Sequence, residues 1–209
     1  NQKGAPANSR RAPHEPAITA ANVADLAPRI TLTTGGSNWS TPILVGDSFY
    51  VTDAAGGLTR ANRDSGEVIW SRKLSEYNGI EKSAARTSVL VTDDLVIVGD
   101  RSGANLIGVD RDTGERRWLT RLDEHPAALV TGSPVLHEGV VYVGTSSLEG
   151  MQIMRDRNYG TSFTGLMLAV DAATGRILWQ TRTMPDNGGR GDTRAGGAPI
   201  CGAAGEVPA

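Results

Sequence analysis

Apolar residues along this chain come in short runs separated by polar turns, and the runs are too brief for packed helices. Phe49-Tyr50-Val51, Leu95-Val96-Ile97-Val98 and Val140-Val141-Tyr142-Val143 are rich in β-branched and aromatic residues, as buried strands are. Each follows a turn, at Gly46-Asp47, Asp93-Asp94 and Glu138-Gly139, that joins it to a preceding segment. Those segments are Ser40-Thr41-Pro42-Ile43-Leu44, Arg86-Thr87-Ser88-Val89-Leu90 and Gly132-Ser133-Pro134-Val135-Leu136, beginning at a constant step of 46 residues. The 3.6-residue apolar stripes of a helical repeat are absent.

A third element closes each unit. Residues 62–70 read Asn-Arg-Asp-Ser-Gly-Glu-Val-Ile-Trp, residues 110–118 Asp-Arg-Asp-Thr-Gly-Glu-Arg-Arg-Trp, and residues 171–179 Asp-Ala-Ala-Thr-Gly-Arg-Ile-Leu-Trp. Gly66, Gly114 and Gly175 suit a tight turn, while the Asn or Asp four residues earlier and Ser65, Thr113 and Thr174 can bond the turn amides. Trp70, Trp118 and Trp179 then fall on an outer strand. There they can wedge between neighbouring units, each indole N–H meeting a carbonyl.

Four-strand units at this period predict an all-β fold, a partial β-propeller of about three four-stranded antiparallel blades with tryptophan-docking motifs. The blades are placed in residues 36–189. Residues 1–35 form an N-terminal segment, with Thr19 capping a short helix over Ala20–Leu26 that ends before Pro28. Ile30-Thr31-Leu32-Thr33-Thr34 reads as a strand that would complete the last blade of a closed ring. Residues 190–209 are an atypical tail.

Composition narrows the function classes. The 26 glycines fit a turn-rich β protein, and a formal net charge of −2 with mixed signs leaves no basic stripe for nucleic acid. No apolar run approaches the ~20 residues that span a bilayer. Cys201 is the single cysteine, so an intrachain disulfide or thiolate metal cluster is excluded. His14 and His137 have no constellation around them. The first residue is Asn1, so the lack of a visible signal peptide carries no weight on export.

The run from Ala169 to Trp179 matches in full the pattern A-x-D-x-x-T-G-x-x-x-W. It resembles the docking motif of quinoproteins that bind pyrroloquinoline quinone (PQQ). A wider set resembles the polyvinyl-alcohol-dehydrogenase-like branch: Asn8-Ser9-Arg10, Ile18 to Leu26, Asp53 to Leu58, His125-Pro126-Ala127-Ala128, Thr131 to Pro134, Tyr142 to Glu149, and Met184 to Gly189. The resemblance implies a ring of about eight blades with PQQ, usually with Ca2+, on its axis. PQQ would take a hydride from an alcohol and pass electrons to a cytochrome c, in the periplasm or outside the cell. Arg86 then matches the arginine beside the quinone oxygens, with Lys82 a weaker candidate. Thr131, Ser146 and Ser147 match positions that offer hydroxyls or amides to PQQ carboxylates, and Glu149 matches a Ca2+ ligand. Each also reads as an ordinary loop residue, and His125 reads as structural.

Two departures stand against full activity. Many members of that family carry Tyr-Pro-Cys-Cys-Thr-Phe-Arg-Gly, with adjacent cysteines against PQQ, where this chain has Tyr159 to Gly165. Phe163 and Gly165 persist, but Gly160-Thr161 replace the cysteines and Thr164 the arginine. From about residue 190 the chain reads as an out-of-frame tail; a fourth blade starting at Gly197-Ala198-Pro199-Ile200 is the alternative. The expectation is therefore a fragment of a PQQ-dependent dehydrogenase of secondary alcohols, inactive alone. The alternative is a non-enzymatic propeller that holds partner proteins.

Overall fold

The computed structural model describes residues 17–157 and 159–184. The tail from 190, Cys201, His14 and the Asn8-Ser9-Arg10 match lie outside the described residues. Three four-stranded antiparallel sheets follow one another along the chain, each in simple up-and-down order. The first holds β1 (Ile43–Val45), β2 (Ser48–Thr52), β3 (Gly57–Asn62) and β4 (Val68–Lys73), after which α1 (Leu74–Asn78) leads onward. The second holds β5 (Leu90–Val91), β6 (Leu95–Gly99), β7 (Asn105–Asp110) and β8 (Arg116–Arg121). A short strand, β9 (Ala128–Leu129), precedes the third sheet. That sheet holds β10 (Val135–His137), β11 (Val140–Gly144), β13 (Leu166–Asp171) and β14 (Ile177–Arg182). Between β11 and β13 the chain forms β12 (Ser146–Ser147), paired with β9, and α2 (Glu149–Arg155). The predicted partial propeller of three blades is thus what the chain builds.

Period-two alternation explains where the core sits. In β6, Leu95 and Ile97 pack with Val141, Val143, Leu168 and Val170 of the third blade. Val96 and Val98 point the other way, to Tyr50, Leu58 and Trp70 of the first. The middle blade is therefore buried on both faces, which is why β6 is an unbroken apolar run.

The signature tryptophans of the first two blades act as expected, while Trp179 is left 46% exposed. Asn62 Oδ1 accepts the Asp64 and Ser65 amides, and Asp110 Oδ1 accepts those of Asp112 and Thr113. Trp70 Nε1 donates to the Arg111 carbonyl at 3.0 Å, and Trp118 Nε1 to that of Ala172 at 3.2 Å, each one blade on. The next blade's signature glycine lies under each ring. A Cβ on Gly114 would fall 2.8 Å from Trp70, and one on Gly175 2.6 Å from Trp118, while both residues also hold φ near +70° (71° and 73°). Glycine is required there twice over. Serines staple the first strands in the same way: Thr41 N donates to Ser88 Oγ, and Ser88 N to Ser133 Oγ.

The Arg117 guanidinium, followed by the Thr113 amide, holds the Asp110 carboxyl down at about 2. A folded pKa below the unfolded value stabilises the fold above that unfolded value, and the contribution is lost as pH falls through about 2. Arg117→Ala should raise the Asp110 midpoint toward 3.8 in a carboxyl-carbon NMR titration. An unmoved midpoint would show that the ion pair does not set it.

The N-terminal expectations need correction. Ala20–Leu26 is not a helix but a single 3-10 turn over Val23–Asp25 with no buried residue, and Thr19 does not cap it. Instead Asn22 Oδ1 accepts the Thr19 amide. With no apolar face docked, a short segment cannot offset its nucleation cost. Ile30–Thr34 is not a strand either, since among the described residues no sheet edge pairs with it. Ile30 packs instead on Gly66, 3.6 Å from where a Cβ would stand, at the place a preceding blade's tryptophan would fill. Both helical segments went unforeseen. In α1, Leu74 and Tyr77 are buried, and the Tyr77 hydroxyl donates to the Gly114 carbonyl at 2.5 Å.

Candidate functional site

Antiparallel order sorts the loops to two ends of the blades. In each sheet the turns joining the first strand to the second and the third to the fourth lie at one end; the corners joining the second to the third, and the connections between blades, lie at the other. Lys82, Arg86, Thr131, Ser146, Ser147 and Glu149 all fall on that second end.

A buried carboxylate organises the corner there in the first two blades. Asp53, 3% exposed, accepts the Gly35, Ala55 and Gly57 amides. Asp100, fully buried, accepts the Ser102, Gly103 and Asn105 amides together with the side-chain amides of Asn105 and Asn78. Saturating a carboxylate with amides in this way makes a rigid corner.

Arg86 stands on such rigid ground. It is exposed between Ala85 and Thr87, both fully buried, and the Thr87 hydroxyl is bonded to both the amide and the carbonyl of Gly99. With Trp39 and Arg101 it lines a cavity of about 360 Å³. The Arg101 guanidinium sits 5.0 Å from the centre of the Trp39 ring, a cation–π contact. Sequence reasoning missed Trp39 and Arg101. A tryptophan left over from the docking pattern was the signal that could have found the first. Lys82 is exposed and lines none of these cavities.

Thr131 and Ser146 are brought together, Oγ1 to Oγ at 2.8 Å, because β9 pairs with β12. Both line a cavity of about 490 Å³ with Val135, Tyr142, Val143 and Met167. Ser147 Oγ instead accepts the Glu149 amide at the start of α2. Glu149 belongs to a third group. Its side chain is 5% exposed; Oε1 accepts the Ser162 amide at 2.9 Å and Oε2 that of Phe163 at 3.1 Å. His125 Nε2 lies 2.8 Å from Ser162 Oγ and 3.6 Å from Glu149 Oε1, while the ring meets Phe163 edge-on. The sequence-derived residues thus share one end of the blades but, Lys82 apart, divide among three clusters.

These clusters differ in what they can hold. Two guanidinium groups around an indole, with paired hydroxyls on the next blade, suit a planar polyanion such as PQQ. Calcium takes about six to eight oxygens. Each Glu149 oxygen accepts one loop amide, and among the described residues no three His, Cys, Asp or Glu side chains are grouped to hold a metal. The described residues therefore do not by themselves make up a Ca2+ shell. Nor does any helix among the described residues have the length and apolarity to cross a membrane.

Known proteins place the chain. It is similar to a polyvinylalcohol dehydrogenase of Pseudomonas sp, 30% identical over 191 residues, which are 88% of this chain and 29% of the relative. It is also similar to quinohemoprotein alcohol dehydrogenase ADH-IIG of Pseudomonas putida, 28% identical over 70% of this chain and 20% of the relative. The chain therefore spans less than a third of these curated relatives. Among solved structures, a europium-containing methanol dehydrogenase superposes with a TM-score of 0.64 at 18% identity, covering 82% of this chain and 30% of that one. At that identity the likeness speaks for the fold. A family model described as outer membrane protein assembly factor BamB matches residues 19–198. On that match, and in keeping with its quinoprotein relatives, the chain belongs to the PQQ-binding-like β-propeller family.

Proposed function

We propose that this chain supplies part of the PQQ site of an alcohol dehydrogenase of the polyvinyl-alcohol type, acting on secondary alcohols, and that alone it is inactive. The observation that carries the reading is Arg86, exposed on a rigid segment and facing Trp39 and Arg101. When bound, PQQ accepts the hydride from the alcohol. Arg86 and Arg101 hold its negative charge, and Trp39 offers a stacking face. Thr131 and Ser146 present hydroxyls to a carboxylate, and Ser147 and Lys82 flank the site as weaker contacts. The electron acceptor is a cytochrome c, as the quinoprotein resemblance implies, and the compartment periplasmic or extracellular, in keeping with the outer-membrane description of the family.

A second reading, a non-enzymatic propeller that holds partner proteins, draws on that same description. It also draws on the loop at 159–165, which carries Gly160-Thr161 in place of adjacent cysteines and packs Phe163 against His125. Titrating PQQ into the purified chain separates the two. Saturable quenching of tryptophan fluorescence is expected, weakened about ten- to a hundredfold by Arg86→Ala, as loss of a charge-assisted bond implies. Absence of saturable quenching would abandon the quinone reading in favour of the scaffold.

A further inference from the structure

We infer that Glu149 is a positioning residue that fixes the 159–165 loop, and not the calcium ligand its family position suggests. The inference stands apart from PQQ binding and rests on a comparison of the three blades. In blades one and two the residue following β2 or β6 is an aspartate, Asp53 or Asp100, buried and saturated by amides of its own corner. In blade three the equivalent residue is Thr145. Its hydroxyl donates to Asp123 Oδ2 and accepts the Leu166 amide, which ties only the two ends of the loop. That corner runs from Thr145 to Gly165, against Asp53–Gly56 and Asp100–Ala104 in the other blades. A longer corner leaves more amides to satisfy and needs a second acceptor inside it.

Glu149 is placed to be that acceptor. It opens α2, is 4% exposed, and gives one oxygen to Ser162 N and the other to Phe163 N, the same amide-bound state as Asp53 and Asp100. His125 completes the arrangement. Its Nδ1 accepts the Ala127 amide, which leaves the proton on Nε2, directed at Ser162 Oγ and Glu149 Oε1. Each Glu149 oxygen keeps a second lone pair, but among the described residues no group of three His, Cys, Asp or Glu stands there to complete a calcium shell, so the loop amides are the partners this fold supplies.

Amide hydrogen exchange of the whole chain, read residue by residue with and without millimolar CaCl2, tests this. Ser162 and Phe163 should be protected, and calcium should leave both unchanged. In Glu149→Gln one carboxylate oxygen becomes a donor, so protection at one or both amides should fall at least tenfold. Gly103 and Asn105, held by Asp100, should keep theirs and report that the fold is intact. Calcium-induced exposure of Ser162 or Phe163 in the unmodified chain would overturn the inference, whatever the variant does. So would a calorimetric calcium site in the unmodified chain that Glu149→Gln abolishes, or unaltered protection in a folded Glu149→Gln.

Discussion

Trp118→Ala is expected to destabilise the chain by about 3–5 kcal/mol, while the chemically identical Trp179→Ala costs less than about 1 kcal/mol. The two tryptophans hold the same place in the same motif and differ only in what stands beyond them. Trp118 is 8% exposed, packs among Leu95, Ile97, Leu106, Val141 and Leu168, and donates to the Ala172 carbonyl. Truncating it removes that bond and leaves a cavity between two sheets that cannot close without moving both. Trp179 is 46% exposed, and its ring contact among the described residues is with Tyr142 of its own blade, tilted at 6.2 Å. Urea unfolding followed by circular dichroism measures both variants. Because domains are stable by only about 5–15 kcal/mol, the first should lie close to losing its fold at room temperature. Equal costs at the two positions would mean that the docking ring stabilises its own blade and not the junction. Gly175→Ala provides the reverse probe. Its Cβ would meet the Trp118 ring at 2.6 Å on a backbone at φ +73°, so it should weaken the same junction from the other side.

That contrast also shows why the fold was legible in the sequence and the site only in part. The blades are written in local terms: a turn glycine, an Asx side chain four residues before it, a tryptophan four residues after. Each does its work within one hairpin or on the hairpin one repeat away, so the periodicity carried the architecture through to strand level. The N-terminal segment has no such internal logic. Whether Ile30–Thr34 forms a strand depends on finding an edge, and Ile30 met Gly66 instead. The site lies between these extremes. Arg86, Thr131 and Ser146 were identified by position, and the structure brings the last two within 2.8 Å. Trp39 and Arg101 come from a pre-strand linker and a corner loop of different blades, so no spacing rule joins them to Arg86. Glu149 is the opposite case. Its position was legible, but what its two oxygens touch depends on a loop whose path the sequence pattern does not specify.

The same corner chemistry predicts a large cost for a residue that touches no ligand. Asp100→Ala should destabilise the chain by about 3 kcal/mol or more, because buried donors left without an acceptor cost about 1–3 kcal/mol each. Asn105 is the decisive neighbour: it is 7% exposed and gives Asp100 both its main-chain and side-chain N–H. The Asn78 amide, reaching across from the end of α1, loses its acceptor as well. Asp100→Asn should fare little better, since the new NH2 group would face the amides of Asn78 or Asn105, donor against donor. Asp112→Ala, at an exposed carboxylate paired with Arg60, should stay within about 1 kcal/mol and serves as the control. The effect should also reach the candidate site. Arg101 follows Asp100 directly, and its amide is bonded to the Ala84 carbonyl two residues before Arg86, so the corner sets where both guanidinium groups stand. Weakened PQQ quenching in an Asp100→Asn chain that is still folded would trace the Arg86–Arg101 spacing to this carboxylate. Unweakened quenching would mean that the two arginines reach the ligand independently of the corner between them.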